Sequence, residues 1–225
     1  MTLDELAIKH GTDKCSQHHN YTALYENVFG SVREEKLKIL EIGIAEGASL
    51  RMWMDYFPNA EIHGIDTTLE AYEKAMVRNP DINPPLDSSR VHFHIGDQGD
   101  RKFMTSLGVD FDIVIDDGSH RMADQILSFQ CLWPNTRLIY VIEDTYTSYL
   151  KRYGGAYRKS GTTVEFFKDL VDDTNTTRFH DKPTAGLPRT YNDIAMIQFA
   201  PALILLYKGN QNDREDKASC EKRDV

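Results

Sequence analysis

The chain has 225 residues, of which 40% are hydrophobic and 27% are charged, and its formal net charge is -9. This hydrophobic content excludes disorder for the bulk of the chain, and the length favours one large domain over two. The excess of 35 acidic over 26 basic side chains argues against nucleic acid or an anionic membrane as a partner. It favours a cationic ligand, a metal ion or a neutral substrate, although solubility alone explains the same excess.

The cysteine pattern and the first residues of the chain indicate in which cellular compartment the protein is expected. Cys15, Cys131 and Cys220 are odd in number and widely separated, which is not the pattern of a disulfide framework. The stretch MTLDELAIKHGTDK lacks the basic start and the apolar run of a signal peptide. No apolar run approaches the ~20 residues that a membrane helix needs. We therefore expect a cytoplasmic protein with no membrane partner.

Five short runs rich in Ile and Val recur along the first two thirds of the chain. They are LKILEIGI (37–44), AEIHGID (60–66), VHFHIGD (91–97), FDIVIDD (111–117) and RLIYVIED (137–144). The stretches between them carry apolar residues at helical spacing, as at Leu50, Trp53 and Phe57. Strands that alternate with helices predict parallel βαβ units with both faces of the sheet covered.

The end of the chain departs from this alternation. The strand-like runs 193–200 and 202–208 have only Pro201 between them, which is too short for a crossover helix and predicts an antiparallel hairpin. The expected fold class is therefore α/β, a Rossmann-like doubly wound sheet of five parallel strands plus a C-terminal antiparallel hairpin. This is the layout of class I methyltransferases rather than of dinucleotide-binding dehydrogenases.

The domain prediction follows from the same patterns. We expect residues 1–208 to form a single domain in which 1–35 are a helical cap segment. The polar stretch 174–192 is predicted to be a long loop of the kind that often covers a substrate. The low apolar content of 209–225 predicts a disordered tail.

A glycine-containing segment predicts a nucleotide-type site. Gly43, which follows the first strand, lets the backbone turn sharply and approach a ligand closely. Asp66 ends the second strand, where a carboxylate can accept both hydroxyls of a ribose. Asp97 and Gln98 close the third strand, where a side-chain acceptor can read an adenine amino group. The alternative is that these acids, together with Glu41, only cap the helices that follow.

Acidic residues accumulate after the fourth and fifth strands. Asp117 ends the fourth, and Glu143 and Asp144 end the fifth, so adjacent strands bring three carboxylates to one edge. With no lysine or arginine nearby in the sequence, we expect a divalent cation, and oxygen ligands suit Mg²⁺, Mn²⁺ or Ca²⁺ rather than zinc. His120, at the predicted start of the next helix, can take a proton from a hydroxyl held there. The alternative for His120 is a capping or core imidazole.

Four segments resemble a known family, the metal-dependent sugar O-methyltransferases, which include macrolide glycoside and rhamnosyl O-methyltransferases. These segments are HGTDK (10–14), LEIGIAEGASLRMW (40–53), IDDGSH (115–120) and IEDTYTSY (142–149). The resemblance covers about residues 10–155. It departs from the family at Ala45, which stands in place of a glycine, and in the turn at Pro134, and it fades after Gly155.

The resemblance implies S-adenosylmethionine (SAM) as methyl donor, Mg²⁺ as metal with Mn²⁺ as an alternative, and a carbohydrate or glycoside acceptor. Within it we favour the 2-OH of a rhamnose. The implied roles are a general base, His120; metal ligands Asp117, Glu143 and Asp144; and cofactor-binding residues Glu41, Gly43, Asp66, Asp97, Gln98 and Asp116. Thr12, Asp13 and Lys14 would belong to an N-terminal segment that closes over the pocket.

Three other functions stay open. A catechol-type O-methyltransferase would use the same cofactor and metal on an aromatic diol. A dinucleotide-dependent oxidoreductase would need the complete glycine fingerprint, which Ala45 interrupts. A non-catalytic module that binds SAM or metal would have no need of a base at His120. Assembly into a homo-oligomer is compatible with each of these functions.

Overall fold

The fold is described from a computed structural model, which covers residues 1–81, 83–87, 89–176, 191 and 193–209. Its centre is a seven-stranded sheet in the order β3-β2-β1-β4-β5-β7-β6. The strands are β1 (Lys38–Ile42), β2 (Glu61–Asp66), β3 (Val91–Ile95), β4 (Phe111–Asp116), β5 (Thr136–Ile142), β6 (Ile194–Ala200) and β7 (Leu203–Lys208). Each lies inside its predicted run, apart from β5, which begins one residue earlier.

Strand directions confirm the predicted fold class. Strands β1 to β5 pair in parallel, whereas β7 is antiparallel to both β5 and β6. The hairpin turns at Pro201 and Ala202, and Ala202 adopts the left-handed conformation with φ 61°. The molecule has a class I, Rossmann-like methyltransferase fold.

Helices connect the strands and cover the sheet. They are α1 (Leu3–His10), α2 (Thr22–Phe29), α3 (Ala48–Tyr56), α4 (Glu70–Arg78), α5 (Arg101–Ser106), α6 (Met122–Leu132), α7 (Thr163–Asp169) and α8 (Val171–Thr176). Short 3-10 turns follow α2, α6 and β5. In the part of the chain that the structure describes, none of the helices has the length and hydrophobicity needed to cross a bilayer.

The sheet separates two hydrophobic cores because successive strand residues point to opposite faces. Ile113 and Ile115 of β4 belong to the core that α1, α2 and α3 cover, whereas Val114 belongs to the opposite core beside α6 and α7. The chain runs outward from β1 to β3 on one side and from β4 to β5 on the other. The carboxyl ends of β1 and β4 therefore flank the switch point, where ligands bind in doubly wound sheets.

The N-terminal segment 1–35 contains α1, α2 and a 3-10 turn. Aromatic rings attach α2 to α3: the Phe29 ring lies 5.2 Å from that of Tyr25, 6.1 Å from Trp53 and 5.9 Å from Phe57. The assignment of 1–208 to one domain stays a prediction. In the predicted loop 174–192, residues 174–176 end α8, while 177–190 and 192, like the tail beyond Gly209, lie outside the described residues.

The aromatic contact between α2 and α3 generates a stability prediction. Phe29→Ala removes a fully buried ring and is expected to lower the free energy of unfolding by about 3–5 kcal/mol, measured by urea denaturation. Val77→Ala, at a position 85% exposed on α4, serves as the control and should change it by less than about 0.5 kcal/mol. Equal effects of the two substitutions would contradict the anchoring role of Phe29.

Candidate active site

A crevice of about 640 Å³ opens at the carboxyl ends of β1 to β5. The loops after these strands form most of its wall, and Gly11, Thr12 and Asp13 of the N-terminal segment complete it. Four of the predicted cofactor residues line this crevice: Gly43, Asp66, Asp97 and Gln98. Glu41 and Asp116, which were predicted with them, are fully buried behind the wall.

Gly43 brings the end of β1 into contact with the loop after β4. Its φ is 99°, and a Cβ atom built on it would lie 2.3 Å from the carbonyl oxygen of Asp117. The amide of Asp117 donates to the carbonyl of Ile42 at 3.0 Å. Only glycine fits here without displacing the Asp117 backbone, so the glycine sets the position of an acidic site residue.

Asp66 shapes the turn between β1 and α3. Its Oδ2 accepts hydrogen bonds from the amides of Ile44 (3.0 Å) and Ala45 (3.1 Å), and its Oδ1 accepts one from Thr67 (2.7 Å). Ala45, which stands in place of a glycine, adopts the left-handed conformation that glycine favours, with φ 45°. The hydrogen bond that the Ala45 amide donates to Asp66 stabilises this strained residue.

Gln98 joins the loops after β3 and β4. Its Nε2 donates to Oδ1 of Asp116 at 2.7 Å, and its Oε1 accepts from the amide of Ser119 at 2.8 Å. Burial raises the pKa of Asp116 to about 7, although the hydrogen bond from Gln98 by itself lowers that pKa. Both polar groups of the Gln98 side chain are therefore engaged within the protein, and its predicted contact with an adenine stays a prediction.

Asp117, His120 and Asp144 form a group that faces the crevice, here called the Asp–His–Asp group. One ligand atom from each lies within 4.8 Å of the others, and Nε2 of His120 is 3.6 Å from Oδ2 of Asp144. Glu143, predicted as the third metal ligand, is not part of this group. Its side chain lies behind the crevice wall, where Oε1 accepts from Tyr25 and Oε2 from Lys14.

Two members of the Asp–His–Asp group have strained backbones. His120 and Asp144 both have φ 54°, in the left-handed region that costs a non-glycine residue roughly 1–3 kcal/mol. Helix α6 begins at Met122 with Arg121 as its N-cap, so His120 lies in the preceding loop rather than at the helix start. Its Nδ1 is buried without a hydrogen-bond partner among the described residues. Strain and an unpaired buried atom in one place indicate a ligand-binding site.

No lysine or arginine is near these acids in the sequence, but the fold brings one from the N-terminal segment. Lys14, 1% exposed, places its Nζ 2.5 Å from Oδ2 of Asp117, 2.8 Å from Oε2 of Glu143 and 3.3 Å from Oε1 of Glu41. Burial alone would lower the pKa of Lys14, but the three carboxylates outweigh it and hold that pKa well above its usual range. The ammonium is therefore charged and compensates part of the acidic charge.

Sequence reasoning also missed two tyrosines. The hydroxyl of Tyr21 donates to Oδ1 of Asp144 and that of Tyr25 to Oε1 of Glu143, each at 2.6 Å. They lie more than a hundred residues before their partners, so no local spacing connects them. The HGTDK motif was the one sequence signal that pointed to this part of the chain.

The charge of the crevice wall is one-sided. Among the described residues that line it, none is lysine or arginine. The carboxylates that line it are those of Asp13, Glu46, Asp66, Asp97, Asp117 and Asp144. Such a wall attracts cations and repels phosphate groups. The crevice lies at the carboxyl ends of the strands of a sheet whose order and terminal hairpin are those of the class I methyltransferase fold.

Comparisons with known proteins specify the relatives. No family model matches the chain. It is 35% identical over 220 residues to 8-demethyl-8-alpha-L-rhamnosyl tetracenomycin-C 2'-O-methyltransferase of Streptomyces olivaceus, a match that covers 92% of the chain and 54% of that protein. It is 38% identical over 186 residues to the corresponding 3'-O-methyltransferase of the same organism, with coverages of 76% and 44%.

The structural comparison agrees. The chain superposes on MycE methyltransferase of the mycinamycin biosynthetic pathway, in complex with Mg and SAH, with a TM-score of 0.79 and 30% identity. This match covers 93% of the chain and 55% of MycE. The chain therefore belongs to the family of SAM-dependent sugar O-methyltransferases, which confirms the resemblance seen in the motifs. The chain spans about half the length of the relatives it matches.

The contacts of Lys14 generate the next prediction. Lys14→Met leaves buried carboxylates without a counter-charge and is expected to lower the free energy of unfolding by about 3–5 kcal/mol, measured by urea denaturation. Lys9→Met on α1 is the matched control, because its ion pair with Asp55 is solvent-exposed and worth about 0–1 kcal/mol. If both substitutions lower the free energy of unfolding equally, Lys14 does not neutralise the buried carboxylates of the site.

Proposed function

We propose that the chain transfers the methyl group of SAM to a hydroxyl of a sugar in a glycoside. The observation that carries the proposal is the Asp–His–Asp group within a crevice that is lined by six carboxylates and, among the described residues, by no lysine or arginine. The named relatives methylate rhamnosyl compounds, and MycE was solved with Mg and SAH, which supports the same chemistry here.

The crevice suits SAM. The sulfonium of SAM is a cation, which the acidic wall attracts, and Gly43 contributes to that wall. We place the ribose at Asp66 and the adenine near Asp97 and Gln98, at the ends of β2 and β3. A dinucleotide would bring a pyrophosphate to the same carboxylates and be repelled, which disfavours the oxidoreductase function.

The Asp–His–Asp group suits Mg²⁺. Mg²⁺ prefers oxygen ligands, so Asp117 and Asp144 would hold it, leaving the imidazole of His120 free for proton transfer. When bound, Mg²⁺ supplies Lewis-acid polarisation that makes a hydroxyl more acidic. Both carboxylate oxygens of Glu143 already accept hydrogen bonds, one from Lys14 and one from Tyr25. In our proposal Glu143 therefore orients Lys14 behind Asp117. The direct ligand role predicted for Glu143 stays a prediction that metal titration of Glu143→Gln tests.

The proposed methyl transfer is a displacement in which residues of the chain accept the proton and align the reactants. The acceptor oxygen attacks the methyl carbon, the carbon–sulfur bond breaks with its electron pair going to sulfur, and the hydroxyl proton passes to Nε2 of His120. The Asp144 carboxylate, 3.6 Å from that nitrogen, stabilises the resulting imidazolium. The remaining contribution is alignment of donor and acceptor, which is worth about 7–11 kcal/mol in favourable cases.

For the acceptor we propose the 2-OH of a rhamnose. A vicinal diol matches the paired Asp117 and Asp144, and one of the named relatives acts at the 2' position of a rhamnosyl group. Another named relative acts at the 3' position of the sugar. The choice between the 2-OH and the 3-OH is therefore the most specific part of the proposal. A catechol also offers a vicinal diol and would use the same side chains.

A methyl-transfer assay tests the function. With labelled SAM, Mg²⁺ and a panel of rhamnosides, other glycosides and catechols, label is expected on a rhamnoside and to disappear when EDTA removes the metal. Mass spectrometry locates the methylated oxygen. Label on catechols alone would show that the acceptor is an aromatic diol and not a sugar. Undiminished turnover in excess EDTA would exclude the metal role.

The proposed base has its own prediction. His120→Ala is expected to lower kcat by about 10²–10⁴-fold while the Kd for SAM, measured by calorimetry, stays near that of the wild type. His18→Ala, at an exposed position outside the crevice, is the control and should keep full turnover. Loss of SAM binding in His120→Ala would instead assign His120 a structural role.

A further inference from the structure

Four polar residues share one face of β2 and the edge strand β3, here called the β2–β3 histidine cluster: Glu61, His63, His92 and His94. His63 is the register partner of His92, and their ring centroids are 4.8 Å apart. One ligand atom each of Glu61, His63 and His92 lies within 4.8 Å of the others. Glu61 begins β2 and Asp66 ends it, so at 3.3 Å per residue Glu61 lies roughly 16 Å and His63 roughly 10 Å from the crevice end of the strand.

The central imidazole of this cluster has an unpaired nitrogen. His63 is 6% exposed, and its Nε2 is buried without a hydrogen-bond partner among the described residues. Oε2 of Glu61 lies 3.9 Å from this nitrogen, too far for a hydrogen bond. A buried polar atom without a partner costs about 1–3 kcal/mol, and a cation between this nitrogen and the carboxylate removes that cost.

The second nitrogen of His63 is held by a neighbour. Its Nδ1 lies 2.9 Å from Nε2 of His94, and the two rings are stacked with centroids 5.3 Å apart. A metal-binding histidine characteristically uses its second nitrogen in this way, since the outer partner fixes both the tautomer and the ring orientation. His94 therefore directs the free Nε2 toward Glu61.

The carboxylate of Glu61 already has a cation beside it. Lys38, whose Nζ lies 3.5 Å from Oε2 of Glu61, is 45% exposed and can turn into solvent when a cation binds.

We propose that Glu61, His63 and His92 form a Zn²⁺ site, with His94 orienting His63. Two imidazoles and one carboxylate suit zinc, whereas Mg²⁺ and Ca²⁺ prefer an all-oxygen set. The ion joins β2 to the edge strand β3, so it stabilises the folded chain by binding the native state alone. The site is separate from the Asp–His–Asp group and does not depend on the proposed methyl transfer.

Calorimetric titration of the untagged, EDTA-treated chain with ZnCl₂ tests the site, with excess Mg²⁺ present to compete at the crevice. The wild type is expected to bind one zinc ion and to unfold at a higher temperature when zinc is bound. His94→Ala should weaken binding by about 10–100-fold, and His92→Ala and Glu61→Gln by at least as much. Circular dichroism verifies that each variant is folded, and Glu61 is exposed, so Glu61→Gln removes no core contact.

Two controls separate this cluster from other histidines and acids. His18→Ala, an exposed histidine outside it, should leave zinc binding unchanged. The double variant Asp117→Asn, Asp144→Asn should also still bind zinc. Zinc binding that disappears in the double variant but survives in His92→Ala and Glu61→Gln would overturn the proposal, as would absence of binding to the folded wild type.

Discussion

The buried ammonium of Lys14 is the interaction on which the site depends. It comes from the N-terminal segment and contacts carboxylates that follow or belong to β1, β4 and β5, so one charge connects three strands to the loop between α1 and α2. Burial raises the pKa of both Glu41 and Glu143, which means that neither ionises readily by itself. Lys14 offsets that cost, and the side of Asp117 that faces the crevice stays available to a second cation.

Local strain accompanies this charge arrangement. Ala45, His120 and Asp144 all adopt left-handed backbones, each in a loop at the carboxyl end of a strand. Such conformations persist where the surrounding structure determines them, and here hydrogen bonds from Tyr21 to Asp144 and from Ala45 to Asp66 do so. The benefit is preorganisation, because the side chains of the Asp–His–Asp group face the crevice before any ligand arrives.

We propose different purposes for the two ends of β2. At its carboxyl end, Asp66 shapes the turn after β1, where we propose that a ribose binds. At its amino end, Glu61 and His63 meet His92 on the sheet edge, where we propose a zinc ion. The length of β2 separates the two proposed sites. An edge strand is also the part of a sheet with the fewest neighbours, where an additional connection has most effect.

The order and type of the strands could be predicted from the amino-acid pattern, because doubly buried parallel strands appear as short Ile- and Val-rich runs, and the single residue Pro201 between the last two runs allows only a hairpin. The same pattern also placed Asp117, His120 and Asp144 together, since neighbouring strands deliver their ends to one edge. Only the tertiary structure showed that Lys14, Tyr21 and Tyr25 reach those ends, because their partners lie more than a hundred residues away. It also separated Glu143 from Asp144, although they are adjacent in sequence. Glu143 is bonded to Lys14 and Tyr25 behind the crevice wall, whereas Asp144 lines the crevice, because contacts with the N-terminal segment, which no local pattern encodes, hold Glu143 there.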